Sequence, residues 1–318
     1  MVYLRVTGRA IINVHTANTE GAVGNYSGLS KMFIVRRTAE GYEVSEEPVI
    51  SGNMVKHWHA VALTDRLLSQ GYGKICETCK RHVMFRSNLP YDDEVKYIEE
   101  CAIEDIHGFL NPNKQVRRES IAKFSFIVPV EDIRAEYEAV THNRVVLTEK
   151  GTIPAEEAAM MVFKREHASG VYGFSCSMDL AYVGRAMADP TKTISAEDRK
   201  VRAKAATLAL ADILSGRTGA AQSRALPIVK VVELLAVVSK KPIPNMVHGF
   251  YRDYAEESLG IIKAFLEKGI ISKNEVKVYV VGEKLAELAK QLGEVAVIKK
   301  SAFEALADIA EVVEEWVA

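Results

Sequence analysis

The chain has 318 residues and carries 41 Lys or Arg against 42 Asp or Glu, a formal net charge of −1. Hydrophobic residues make up 48% and charged residues 26%. This composition excludes a disordered chain, a collagen-like fibre and a disulfide-rich miniprotein. The neutral total argues against a uniformly basic nucleic-acid binder, but it does not say where the charges lie.

The sequence predicts a cytoplasmic protein with no membrane contact. No apolar run reaches the roughly 18 residues that a membrane-spanning helix needs, and the first residues alternate like a strand rather than forming a secretory signal. Four cysteines without such a signal fit a reducing compartment.

Hydrophobic periodicity predicts the elements in chain order. Strands and hairpins with period-two alternation are predicted at 2–14, 32–46, 120–130, 160–180 and 227–238. Ser51 and Ser195 are suitable N-caps for helices that run to about residues 69 and 214. The pair Ser169-Gly170 predicts the turn of the hairpin at 160–180. Beyond residue 253, three helices alternate with two strands.

The order of these elements predicts an α+β fold class. Strand, helix, strands, helix and strand is the order of a ferredoxin-like, split βαβ sheet, here with long insertions. One insertion, 70–103, combines helical and irregular pieces. Since this sheet supports many functions, it does not identify one.

Charge is distributed unevenly along the chain. Between Arg185 and Lys241 there are eleven Lys or Arg against five Asp or Glu, whereas the residues after Lys300 include five acids and no base. Arg217 and Arg224 flank a loop of small residues, whose backbone N–H groups can approach a phosphate. A solvated helix face followed by a flexible turn explains the same residues equally well.

One cysteine pattern suggests a metal site. Cys76, Cys79 and His82, with Cys101 further along, are spaced like half of a zinc site. No second close pair of ligands accompanies them, and free thiols in a helical insertion are the alternative. A structural zinc is therefore a hypothesis, and no cofactor is required.

Signatures of catalysis are scarce. The sequence contains no P-loop, no G-x-S-x-G and no H-E-x-x-H, and no G-x-G-x-x-G follows a strand. Glu104, Asp105 and His107 form the one acid–base cluster, and their adjacency does not make them converge. We therefore expect no enzymatic activity.

An ordered set of segments resembles a known family. The segments are Val49 to Asn53, Glu104 to Leu110, Arg117-Arg118 and Ser215 to Pro227. Their order and spacing resemble the DevR-type CRISPR-associated backbone subunit of the archaeal type I-A Cascade complex, the Cas family numbered seven. The resemblance covers residues 1 to about 245.

The resemblance implies a palm like an RNA-recognition motif, with a helical fingers insertion and a thumb. The implied palm comprises 1–69, 104–130 and 159–245, with fingers at 70–103, a thumb-like insertion at 131–158 and a C-terminal α/β extension at 246–318. Members of the family stack along CRISPR RNA and hold its backbone, so that the bases pair with target DNA. The implied partners are CRISPR RNA, target DNA through that pairing, copies of the chain and other Cascade subunits.

Fourteen residues are candidates for RNA contact, because the resemblance maps them or because they lie on an exposed basic face. They are Asn25, Lys31, Ser51, Gly52, Lys56, His57, Arg117, Arg118, His142, Arg144, Gly216, Arg217, Ser223 and Arg224. Loop 218–222 is less basic and less Gly-rich than in relatives, which shifts its expected contact to backbone amides. An acidic C-terminal helix beside a basic groove would also suit head-to-tail packing.

Two other functions remain open. A metal-independent endoribonuclease on the same fold would use His142 as general acid or base, although no second base is evident beside it. A transcriptional autoregulator would bind duplex DNA, although no helix-turn-helix is visible.

Overall fold

The computed structural model describes residues 1–16, 19–24, 26–133, 135–142, 161–217, 226 and 228–317. These residues form a ten-stranded sheet and two short two-stranded sheets. The strands are β1 (Tyr3–His15), β2 (Thr19–Val23), β3 (Tyr26–Leu29), β4 (Lys31–Thr38), β5 (Gly41–Pro48), β6 (Phe109–Asn111), β7 (Val116–Arg118), β8 (Ala122–Phe124), β9 (Val128–Pro129), β10 (Ala135–His142), β11 (Met161–Met178), β12 (Ile228–Ser239), β13 (Val276–Val281) and β14 (Ala296–Ile298). The α-helices are α1 (Gly52–Ser69), α2 (Glu77–Lys80), α3 (Glu94–Glu100), α4 (Ala102–His107), α5 (Ala196–Leu214), α6 (Tyr254–Glu267), α7 (Glu283–Ala289) and α8 (Ala302–Trp316).

The centre of the main sheet has the strand order β12–β1–β11–β8. β1 pairs antiparallel with β11 on one side and with β12 on the other, and β8 pairs antiparallel with β11. Helix α1 lies between β1 and β8 in the chain, and α5 lies between β11 and β12. This is the ferredoxin-like order, so the predicted α+β fold class is confirmed.

Alternation along β1 divides the sheet into two faces. Leu4, Val6 and Ile12 lie in the larger hydrophobic core together with side chains of α1 and α5, such as Trp58 and Leu210. Burial of this apolar face is the main stabilising contribution to the palm. The predicted N-caps are confirmed for both helices: each serine oxygen accepts a hydrogen bond from the first turn.

The opposite face of β1 is covered by the chain's own backbone. Thr7 Oγ1 donates to the carbonyl of Val247 (2.8 Å), and Arg9 Nε donates to that of Gly249 (2.8 Å). A side chain at Gly249 would overlap the backbone of Gly8, so only glycine permits this approach. RNA-recognition motifs stack bases on this face, and here the backbone fills that part of it.

The C-terminal residues extend the sheet and cover both faces. β13 and β14 continue from β12, and α6 and α7 bury a second core against the sheet. Helix α8 packs on α5, where Lys204 Nζ contacts Glu314 Oε2 at 2.5 Å. The acidic helix therefore offsets part of the basic region within the same chain. No helix in the described ranges is both long enough and apolar enough to cross a bilayer.

Two predicted elements are wrong. Ser169 and Gly170 do not form a turn but lie inside β11, where Gly170 pairs with Ile12 and Ser169 Oγ accepts from the N–H of Val14. Pairing with β1 outweighs the turn preference of this dipeptide. The strand predicted at 120–130 is divided into β8 and β9.

The segment assigned to the thumb is described in part. Residues 135–142 form β10, which pairs with the first half of β11 from Ala135–Ala168 to His142–Met161. Residues 143–160 lie outside the described residues.

Candidate nucleic-acid interface

The N-terminus of α1 packs tightly against the sheet. Ser51 Oγ accepts from the N–H of Met54 at 3.3 Å and begins the helix. Gly52 is buried, and a side chain there would overlap the carbonyl of Phe124, so glycine lets α1 approach β8. Ser51 and Gly52, both predicted to contact RNA, thus set the position of the helix.

One turn into α1, three cations converge. Lys56 is half-buried, and its pKa is lowered to about 8 by burial and then by the charges of Arg86 and Lys123. Arg86 comes from the segment before α3 and donates to the carbonyl of His107 at 3.1 Å. Lys123 lies on β8; its side chain is 57% exposed and contacts the exposed carboxylate of Glu119 at 3.5 Å. Like charges held together in this way favour binding of an anion.

A polar strip continues along α1 from this cluster. Burial and then Arg86 and His82 lower the pKa of His57. Asp65 lies nine residues after Lys56, about 13 Å along the helix and about 180° around it. It accepts from His82 Nε2 at 2.8 Å and pairs with Arg217, which also lies 3.6 Å from Asp212.

Arg217 follows Gly216, which has a φ of +95° and ends α5. We call the surface formed by five side chains the α1 ribbon: Lys56, His57, Arg86, Lys123 and Arg217. The ribbon joins four separate parts of the chain: α1, the fingers segment, β8 and the start of the predicted RNA loop.

Two other predicted contacts, Lys31 and Arg117, lie beside acidic side chains. Lys31 Nζ is paired with the buried Glu166 at 2.8 Å, which raises the pKa of Lys31. Arg117 lines a cleft of about 620 Å³ whose wall includes Asp92, Asp93 and Asp189.

Five residues predicted to contact RNA have side chains outside the described part of the structure. Asn25, Arg144, Ser223 and Arg224 lie outside the described residues. His142 is the last residue of β10, and its side chain lies outside the described part of the structure.

Arg118 was predicted to contact RNA, and the structure corrects this prediction. Its side chain is 0% exposed and pairs with Glu94 at 2.6 Å and with Asp105 at 2.7 Å. Asp105 also binds Arg202, at 2.9 Å. On β7 the side chains alternate, so Arg117 points outward and Arg118 inward, where no external phosphate can reach it.

Two residues of the ribbon were not among the predicted contacts. Lys123 had an available signal, because alternation after residue 120 places it on the polar side of the strand. No sequence signal indicated that Arg86 is part of the ribbon, because it lies in an irregular segment where hydrophobic periodicity does not predict which side chains are exposed.

The predicted metal cluster is only partly assembled. The sulfurs of Cys76, Cys79 and Cys101 lie within 4.8 Å of one another, and all three residues are buried. His82 is not part of this group but pairs with Asp65 on the exposed side of α1. The inclusion of His82 is therefore wrong.

The acid–base cluster diverges, because its members lie on α4 and point in different directions. Burial and then the Cys76 sulfur raise the pKa of Glu104 to about 8. Asp105 faces the arginines, and His107 Nε2 lies 2.9 Å from Nδ1 of the buried His59. Burial lowers the pKa of His59 to about 4 and that of His107 well below its usual range, so this histidine pair is neutral.

The fold and the α1 ribbon define an α+β protein of ferredoxin-like topology with a cationic surface on its first helix. The family model "CRISPR-associated negative auto-regulator DevR/Csa2" matches residues 6–259. The CRISPR-associated protein Cas7/Cst2/DevR of Methanocaldococcus jannaschii is 40% identical over 284 residues, which cover 82% of this chain and 89% of that protein. The chain therefore belongs to the DevR/Csa2 family of CRISPR-associated Cas7 proteins, and the resemblance seen in the sequence is confirmed.

The chain is also similar to a Cascade subunit and to a chain of a solved CRISPR complex. The CRISPR-associated aCascade subunit Cas7/Csa2 2 of Saccharolobus solfataricus is 27% identical over 308 residues, which cover 89% of this chain and 92% of that subunit. A chain from a solved CRISPR RNA-guided surveillance complex, pre-nicking, has a TM-score of 0.52 at 10% identity. That match covers 98% of this chain and 100% of the other, so the two chains share a fold.

Proposed function

We propose that this chain is a backbone subunit of a type I-A Cascade complex. In this proposal it binds CRISPR RNA, stacks on copies of itself along that RNA and presents the bases to target DNA. The observation that carries the proposal is the convergence of Lys56, Arg86 and Lys123 on α1 in a member of this family. The name of the Saccharolobus relative supports the Cascade assignment.

The positive charges around Lys56 suit the phosphate backbone of RNA as a ligand. Within the described chain no ion pair involves Lys56, and the surrounding charges that act on it are all positive. A phosphate would neutralise this repulsion and release counterions, which gives affinity without reading sequence. Because the opposite sheet face is filled near Gly8 and Gly173, base stacking on the palm is not the proposed mode. The bases would remain free for pairing.

We propose a non-catalytic role. The acid–base cluster on α4 does not converge: Glu104, Asp105 and His107 each have a separate partner. An endoribonuclease acting through His142 and a duplex-binding autoregulator make different predictions in the assay that follows.

RNA length should set the size of the assembly. With single-stranded RNA oligomers of increasing length, the mass of the complex is expected to rise in steps of one chain, because each copy covers a fixed length of backbone. Multi-angle light scattering after size exclusion measures this, with RNA integrity followed by denaturing gel. Cleavage of the RNA, or tighter binding of duplex DNA of equal length, would contradict the proposal.

The affinity should also depend on pH through Lys56. Its pKa is about 8 in the free protein, and a bound phosphate raises it. Below pH 8 the Lys56 ammonium is charged in both the free and the RNA-bound protein. Above pH 8 the free protein must take up a proton in order to bind, so the affinity for RNA falls by at most about tenfold per pH unit. Fluorescence anisotropy between about pH 7 and 9.5 tests this, since Lys56→Arg keeps its charge throughout the range. Identical profiles for wild type and Lys56→Arg would exclude Lys56 from the contact.

A further inference from the structure

Three cysteines meet at the base of the fingers segment. Cys76 directly precedes α2, Cys79 lies within α2, and Cys101 lies between α3 and α4. Their exposures are 6%, 0% and 0%, and their sulfurs lie within 4.8 Å of one another. Tetrahedral coordination with Zn–S bonds of about 2.3 Å requires S···S separations of about 3.8 Å, which this group can reach with small movements.

A buried carboxylate lies beside the sulfurs. Glu104 follows Cys101 by three residues on α4 and is 0% exposed. Its Oε1 lies 3.8 Å from Cys76 Sγ, and its Oε2 is buried without a hydrogen-bond partner. A buried oxygen without a partner is costly, and coordination of a cation would satisfy it.

We propose that Cys76, Cys79 and Cys101, as thiolates, and Glu104, through a carboxylate oxygen, bind one Zn²⁺. Four protein ligands in a closed, buried position are typical of a structural site. Binding releases the protons of the three thiols and of the Glu104 carboxyl to solvent. Three thiolates and one carboxylate leave a net charge of −2 around the ion, and Arg86 lies within electrostatic range of Cys79 and Glu104 to offset it.

The ion would fix the geometry of the fingers. Cys76 and Cys101 lie near the two ends of segment 70–103, where the N–H of Ala102 already donates to the carbonyl of Lys74 at 3.0 Å. A metal there closes the segment at its base. It thereby restrains Arg86, which lies between the two ends. The metal proposal does not depend on RNA binding.

The first test uses the full-length wild-type chain. Protein purified without chelator, or apo-protein titrated with Zn²⁺ alone, is expected to hold about one zinc per chain by elemental analysis. X-ray absorption at the zinc edge is expected to show three sulfurs at about 2.3 Å and one oxygen at about 2.0–2.2 Å. Zinc content near zero in both preparations, or a shell with nitrogen or four sulfurs, would overturn the proposal.

Variants separate the ligand set from its neighbours. Cys79→Ser and Cys101→Ser are expected to lose stoichiometric zinc, and Glu104→Gln to weaken its binding by about tenfold or more. His82→Ala and Cys176→Ser are matched controls, because His82 pairs with Asp65 and the buried Cys176 lies in β11. Both controls should keep one zinc, and loss of zinc from His82→Ala would overturn the assignment of Glu104.

Discussion

Replacing Lys56 and Arg86 together by alanine is expected to weaken binding of single-stranded RNA by about 30- to 1,000-fold, since each lost charged contact contributes roughly 1–2 kcal/mol. The slope of log affinity against log salt should fall by about 1.4, the value for two phosphate contacts on a single strand. Both residues belong to the α1 ribbon, in which Arg86 is close enough to Lys56 to lower its pKa. Anisotropy titrations between about 50 and 200 mM salt measure both quantities.

A matched control removes the same number of positive charges elsewhere. Lys273 and Lys290 lie in the C-terminal extension, are largely exposed and pair with Glu294 and Glu287. The double variant Lys273→Ala, Lys290→Ala should bind RNA with nearly wild-type affinity and slope. If both double variants lose RNA affinity equally, the loss is caused by the change in net charge, and the α1 ribbon is not the contact surface.

Several elements of the fold could be predicted because their signals are local. The alternation of β1, the serine that begins α1 and the apolar periodicity of α8 each depend on neighbours within a few residues. The turn at Ser169-Gly170 could not be excluded in this way. There the deciding interaction is pairing with β1, more than 150 residues earlier in the chain.

The candidate site was less predictable, because side chains far apart in sequence decide it. The spacing Cys76, Cys79, His82 favours the histidine as the next ligand, whereas the fold places Glu104 beside the sulfurs. Arg86 joins the ribbon only because the irregular fingers segment returns to α1.

The distribution of charge along the sequence also did not predict which basic side chains are exposed. For the basic region from Arg185 to Lys241, the sequence left a phosphate-binding surface and a solvated helix face equally open. Instead Arg199 and Arg202 are buried, and Lys204 pairs with α8. A count of charges along the chain cannot distinguish a cation that solvent reaches from one that stabilises the interior.

Arg118→Ala is expected to lower the free energy of unfolding by about 3–5 kcal/mol, because it leaves buried carboxylates without their cation. Glu94 would keep only backbone N–H donors, and Asp105 would keep Arg202 and the N–H of Gly184. Arg117→Ala, which removes the same charge from the exposed neighbour, should change stability by less than about 0.5 kcal/mol. Urea unfolding followed by circular dichroism compares the two variants.

A double-mutant cycle distinguishes a buried network from a general loss of packing. Glu94→Gln removes the carboxylate charge that faces Arg118 but keeps an acceptor for the N–H groups of Met187 and Ala188. If the pair interacts as the 2.6 Å contact indicates, Arg118→Met and Glu94→Gln together should cost at least about 1 kcal/mol less than the sum of their separate effects. Additive losses would mean that the ion pair itself contributes little. If an Arg118 variant had wild-type stability but no longer bound RNA, Arg118 would contact RNA, as the sequence predicted.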